Sequence, residues 1–290
     1  MKRLRLRLNP AYALVAPYVL HGLLFLGYPL LFAALLVVHR WDVLTPMEFV
    51  GLKNILRLAR DELFFRALWN TGLFLAVHIP LQIALALGLA LLLNQPLRGR
   101  GLFRALYFLP VVVSGVVVTL LFQQLLAYEN GALNELLRKL GLGRVPWLIS
   151  ERWAMPSIAL VATWKNVGLY VVLFLAGLQQ IPEEFYEAAR LEGAGAWQMF
   201  WRITLPLLNP TLVAVVVLST IGGFSLFIEP YVLTGGGPMD ATLSGMLYIY
   251  QQAFYFNHMG YAATLGLCYA LVIFVVVWLQ RRWVEERVHG

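Results

Sequence analysis

The sequence predicts an all-α integral membrane protein with six transmembrane helices and a helical loop projecting from one face. Three observations predict it. Of 290 residues, 60% are hydrophobic and 13% are charged, against about 45–50% and about 25% in soluble domains. The apolar residues gather into six runs, each near the roughly 20 residues that cross a bilayer. The basic residues lie between the runs, as in loops that face anionic lipid. The formal charge of +7 is thereby assigned to the lipid bilayer as partner, and no nucleic-acid partner is expected.

The first span covers 11–38. Lys2, Arg3, Arg5 and Arg7 precede it, the charge layout of a secretory signal. The apolar run exceeds the roughly 7–15 residues of a signal core and ends in His39, Arg40, Trp41 and Asp42 without a small-residue cleavage site. A retained span is expected. Residues 49–69 alternate apolar and charged side chains at helical spacing (Ile55, Leu58, Ala59, Leu63), which predicts an amphipathic surface helix. Spans two and three cover 68–93 and 103–126, with Arg98, Arg100 and Arg104 crowding the short loop between them. A short surface helix is expected over 131–141, and the fourth span over 155–178. The fifth span covers 207–231. Residues 244–256, rich in tyrosine and phenylalanine, predict a third surface helix suited to the membrane interface. The sixth span covers 261–279, with Arg281 and Arg282 at its end. Pro17, Pro29, Pro80, Pro110 and Pro210 fall inside spans, where neighbouring helices satisfy the freed backbone groups.

Basic residues crowd the N-terminus, the 98–104 loop and the end of the last span, which predicts both termini on the inner side. The single cysteine, Cys268, forms no intrachain disulfide and reads as a small packing residue.

The loop after the fourth span, 179–206, differs from the others by its mixed charge. Pro182 suits the start of a helix, and Glu183 and Glu184 suit its first turn. Gly193 and Gly195 break that helix. A second helix over 196–203 is expected to end at Pro206. Two short helices joined at glycines make a compact knob.

At this knob the sequence resembles a known family. Glu187, Ala188, Ala189, Gly193, Ile203, Leu205 and Pro206 meet the pattern EAA-x3-G-x9-I-x-LP, the signature of permease subunits of bacterial ABC importers. Further segments are similar to permeases of carbohydrate importers of the maltose, lactose and multiple-sugar type. These are 49–54 (FVGLKN), 97–104 (LRGRGLFR), 174–179 (FLAGLQ) and 231–238 (YVLTGGGP), the last typical of the first of the two permease subunits. The resemblance implies one permease domain over 1–290 in the bacterial inner membrane. It implies a second permease subunit, an ATPase subunit dimer and an extracytoplasmic sugar-binding protein as partners. It also implies that 179–206 is the coupling loop that docks on an ATPase, with Glu187 as its ion-pairing residue. No cofactor is expected in this chain, because it has no GxxxxGK[ST] phosphate loop; ATP and Mg would be held by the partner ATPases.

Polar groups at membrane depth are costly and invite a functional reading. The resemblance places the sugar route along Trp164, Lys165, Asn166 and Leu169 of the fourth span and Ser219, Gly222 and Gly223 of the fifth. Gly222-Gly223 replaces an aromatic-asparagine pair of the maltose type. Two readings stand for these residues. Lys165 and Asn166 bond sugar hydroxyls and Trp164 stacks on a ring, or Lys165 snorkels or pairs with Glu229 and the glycines serve helix packing. His21 and His78 read as structural. No HExxH, GxSxG or cysteine-histidine arrangement occurs, so no catalytic residues, no metal site and no enzymatic activity are expected. A glycerol-phosphate importer and an ion-driven secondary transporter are the alternatives. The first would want more cations than Lys165, and the second lacks an inverted repeat.

Overall fold

The computed structural model describes residues 10–95 and 99–285. The basic residues Lys2, Arg3, Arg5, Arg7, Arg98 and Arg287 lie outside them. In chain order, α1 (Pro10–Gly22) passes through a π-helical turn (Leu23–Gly27) into α2 (Tyr28–Val37). A short hairpin follows, β1 (His39–Arg40) with β2 (Glu48–Phe49), then α3 (Lys53–Leu58) and α4 (Glu62–Leu93). Next come α5 (Arg100–Val112), α6 (Gly115–Leu125), α7 (Ala132–Lys139) and α8 (Glu151–Leu178). The knob holds α9 (Glu183–Leu191), α10 (Ala196–Met199), a π-helical turn (Phe200–Thr204) and α11 (Leu205–Leu207). The chain ends with α12 (Asn209–Phe224), α13 (Ile228–Leu233), α14 (Gly245–Tyr250) and α15 (Met259–Glu285).

Among the described residues, five stretches are long and apolar enough to cross a membrane: Leu14–Val37, Glu62–Leu93, Glu151–Leu178, Asn209–Leu233 and Met259–Arg282. A sixth is a broken pair, α5 with α6, bent by 96°. The protein is thus a multi-pass membrane protein. The third expected span is not one straight helix, however. Val113 and Ser114 are extended (ψ 144° and 128°) between its halves. Three successive valines, Val111 to Val113, are weak helix formers, and Ser114 then starts the next helix in the N-cap position.

The chain divides into two compact units, one formed by residues through Asp61 with Ile249–Ala270, the other by Glu62–Tyr248 with the residues from Leu271. In the first, Asp42 accepts the backbone N–H of Thr45 (2.7 Å) and of Leu44 (3.1 Å) and the Thr45 hydroxyl (2.7 Å). These bonds, Thr45 foremost, hold its carboxyl below the usual carboxylate range. Arg40 pairs with Glu48 across the hairpin. The Asn54 amide donates to the carbonyls of Val37 and His39, both at 2.9 Å. The Tyr261 hydroxyl donates to Asp61, and Arg57 lies over the Tyr261 ring, 3.9 Å from its centre. The surface helix expected over 49–69 shrinks to α3. From Glu62 onward the chain belongs to α4, because Leu63, Phe64 and Phe65 already begin the apolar run and Glu62 suits a helix N-terminus.

In the second unit α8 is the central post. Of its apolar window 61% is buried, against 22% for α4 and 33% for the fifth span. Small residues permit this. A side chain on Gly168 would strike the Tyr107 carbonyl of α5, and one on Gly177 would meet Thr211 of α12 and, at 2.9 Å, Leu208. Without a strong hydrophobic drive between helices in lipid, such close backbone approach is what holds them. One apolar cluster unites Ala86 and Ala90 of α4, Val171 and Phe174 of α8, Leu208, and Val215 of α12. A second unites Phe74 of α4 with Ile158 and Val161 of α8. The expected surface helices at 131–141 and 244–256 are present as α7 and as α14 with the π-helical turn Gln251–Tyr255.

Candidate functional site

The knob is built as its residues dictate. Pro182 stands just before α9 in extended conformation (ψ 135°), and Glu183 and Glu184 occupy the first turn. Gly193 takes φ 79°, a left-handed conformation that side chains disfavour, and so turns the chain after α9. The next segment does not end at Pro206 as expected. Pro206 sits in α11, and the helical path runs on to α12 with only a turn at Leu208. The π-helical turn at Phe200–Thr204 loosens the hydrogen-bond ladder just ahead of the proline, which lacks its own N–H.

Glu187 and Ala188 face outward on α9, with Ala189 half-buried beside them. Gly193 is exposed in the link. Ile203 and Leu205 are half-buried, and Pro206 is exposed. Arg190 pairs with Glu183 at 3.0 Å, and not with Glu187, leaving the Glu187 carboxylate outside that pair. The Tyr186 hydroxyl meets that of Thr204 at 3.0 Å and staples α9 to the π-helical turn. Beneath lies a cavity of about 430 Å³, lined by Leu91, Tyr186, Trp197 and Phe200 among others. Leu191, Trp197 and Trp201 are 90%, 74% and 50% exposed. These apolar side chains on a loop outside the spans were missed by the sequence reading. Their signal was present, since large apolar groups flanking a glycine turn have no core to enter.

The other candidate residues lie on α8 and α12. Trp164 is 47% exposed and packs edge-on against Phe122 at 5.1 Å. Lys165 reaches across to the break between α5 and α6. Its Cε would be 3.3 Å from a side chain placed on Gly115, where Ile228 also comes within 3.1 Å. No direct ion pair joins Lys165 to Glu229 among the described residues. Asn166 donates to the Ala162 carbonyl of its own helix at 2.9 Å. Leu169 is 43% exposed.

On α12 the three candidates separate. Gly222 is open, with only the Tyr170 hydroxyl 3.8 Å from where a side chain would start. Gly223 is closed, because a side chain there would strike Leu75 and come within 3.4 Å of Phe74. Ser219 is buried and accepts the Gln82 amide of α4 at 2.9 Å. Ser219 and Gly223 thus hold helices together, while Gly222, Lys165, Trp164 and Leu169 remain open or half-open. Gln82 was not singled out from the sequence, although a glutamine inside an apolar span carries the same cost that drew attention to Lys165. His78, four residues earlier, bonds the Thr163 hydroxyl at 2.7 Å and stacks on Phe74.

The family described as binding-protein-dependent transport system inner membrane component matches residues 82–289. The lactose transport system permease protein LacF of Rhizobium radiobacter is 37% identical over 279 residues, covering 94% of this chain and 93% of that protein. The trehalose/maltose transport system permease protein MalF of Thermococcus litoralis is 35% identical over 267 residues, covering 92% and 89%. A crystal structure of a bacterial ABC transporter importing the acidic polysaccharide alginate contains a chain that is 26% identical. It superposes with a TM-score of 0.82 over 95% of each chain.

Proposed function

Because the chain belongs to the family of binding-protein-dependent transport system inner membrane components, we propose that it is a permease subunit of an ABC importer for a mono- or oligosaccharide. Relatives named for lactose, arabinooligosaccharides and trehalose/maltose, each matched over most of its length, support sugar as the cargo. The partners are a second permease subunit, an ATPase dimer that binds ATP and Mg, and an extracytoplasmic binding protein. Relatives solved as ABC transporters support this, one of them in complex with an alginate pentasaccharide-bound periplasmic protein. This chain transports and does not itself catalyse. Its termini face the cytoplasm, the side on which the knob meets the ATPase.

The observation that carries the reading is the knob. Of the residues matching the EAA pattern, Glu187, Ala188, Gly193 and Pro206 are exposed, with Glu187 outward on α9 and Gly193 at the turn that follows it. An exposed acidic side chain beside exposed apolar ones suits a partner groove that is apolar with a basic rim. Closure of the ATPase dimer on ATP would move the knob, and with it α12, in a rigid-body exchange of access. Lys165, Asn166, Trp164, Leu169 and Gly222 would border the cargo's path.

The test is recovery of the ATPase on the tagged permease, comparing the native sequence with the Glu187→Ala, Gly193→Asp double variant. The native chain should retain the ATPase and the variant should lose it. Equal recovery would show that the knob is not the dock.

A further inference from the structure

Between α5 and α8 in the second unit runs a groove of about 550 Å³, within the range of small-molecule sites. Its walls are apolar along most of their length, from Phe108, Leu109 and Val112 on one side to Val172, Leu175 and Ala176 on the other. Only its knob-side end is strongly polar. Arg104 stands there on the first turns of α5, and Gln179 directly follows the last turn of α8. Neither side chain has an ion pair or hydrogen-bond partner among the described residues. Both are exposed. Arg104 to Val112 spans about 12 Å along the helix axis, and Gln179 to Val172 about 10 Å.

That is an amphipathic slot set at a membrane boundary. A cation and an amide donor mark the headgroup level, and an apolar trough descends from them toward the bilayer centre. Water-filled routes are not lined this way, and an unpartnered guanidinium at the boundary draws an anion with a planar pair of acceptor oxygens. A basic pocket between transmembrane helices is suited to an anionic lipid headgroup. In the sequence, Arg98 and Arg100 lie within six residues of Arg104.

We propose that this groove binds an anionic phospholipid, with Arg104 and Gln179 on its phosphate and one acyl chain along Phe108, Leu109, Val112 and Val172. The site lies apart from the open residues Lys165 and Gly222, and the inference holds whatever cargo is carried.

The test uses the full chain assembled with its partner subunits. Retained lipid is counted by native mass spectrometry after exposure to dioleoylphosphatidylglycerol or dioleoylphosphatidylcholine. The native complex should hold the anionic lipid about fivefold more tightly, the effect of one cation near an anionic lipid. Arg104→Lys should keep that preference and Arg104→Gln should abolish it. Leu109→Trp, which fills the trough and leaves the charge in place, should weaken retention of both lipids. Undiminished preference in Arg104→Gln would overturn the proposal. So would unchanged retention in Leu109→Trp, or an absence of retained lipid in the native complex, which would mean that another subunit covers the groove. Displacement of the lipid by soluble glycerol phosphate would assign the site to a free phosphate ester and equally overturn it.

Discussion

Gln82 donates its side-chain amide to the hydroxyl of Ser219 across 2.9 Å, joining α4 to α12 where both side chains are buried. The Gln82 carbonyl oxygen has no hydrogen-bond partner among the described residues. Ser219→Ala would therefore leave the whole amide orphaned. Polar pairs between membrane helices are worth about 0.6 kcal/mol on average, but a buried donor left without any partner costs about 1–3 kcal/mol. Ser219→Ala should lower the unfolding free energy of the complex by about 1–2 kcal/mol, and Gln82→Leu added to it should restore part of the loss. The KM for cargo should stay unchanged in both. A raised KM with unchanged stability would place Ser219 on the cargo's path instead.

The two adjacent glycines of α12 should behave oppositely. Gly223→Ala drives a methyl group into Leu75 and toward Phe74, and overpacking of this kind costs about 1–3 kcal/mol. Gly222→Ala meets only the Tyr170 hydroxyl at 3.8 Å. Thermal melting of the purified assembly should fall for Gly223→Ala and stay level for Gly222→Ala, whose effect should appear in uptake alone. Equal melting losses would show that α12 packs differently from the arrangement described.

Lys165→Met keeps the length of the side chain and removes its charge. A hydrogen bond from a charged group is worth about 1.5–3 kcal/mol, so sugar uptake at low substrate should drop by about tenfold or more. Recovery of the ATPase on the knob should be unaffected. Uptake at the native rate would leave Lys165 with the packing role at Gly115.

His258 stands just before α15, bonded to Gln252 at 3.0 Å. Burial, and then the Arg57 charge, lower its pKa below the ordinary 6.5. The unfolded segment takes up a proton near pH 6.5 while the folded one does not until lower pH. The contribution of His258 is thus present above pH 6.5 and is lost as pH falls through the depressed folded value. Once the intrinsic slowing of exchange at lower pH is divided out, the protection of amides in residues 249–261 should fall between pH 7.5 and 5.5, and His258→Gln should remove that loss of protection. Pro230–Leu233, which bears no such histidine, serves as the internal control.

Most of the helical frame was legible in the sequence because lipid forces long apolar runs into helices. The knob was legible because prolines, glycines and first-turn acids are local signals. What was hidden depended on neighbours. The bend between α5 and α6 was only half legible: Val111 to Ser114 weaken the helix locally, but the nearness of Gly115 to Lys165 and Ile228 is a tertiary fact that local propensity does not encode. Pro206 reads as a stop, yet the π-helical turn ahead of it carries the helical path through α11 toward α12. Ser219 and Gly223 looked like Gly222 in the chain and differ only in what α4 presents to them. Leu191 and Trp197 read as ordinary apolar residues until the fold left them without a core.

The helical path from Ala196 to Phe224, relieved only by the π-helical turn and the turn at Leu208, is about 43 Å long by its residue count. That path has two joints, the loosened ladder at Phe200–Thr204 and the turn at Leu208, so a displacement at Trp197 has to pass both before it is felt at Gly222.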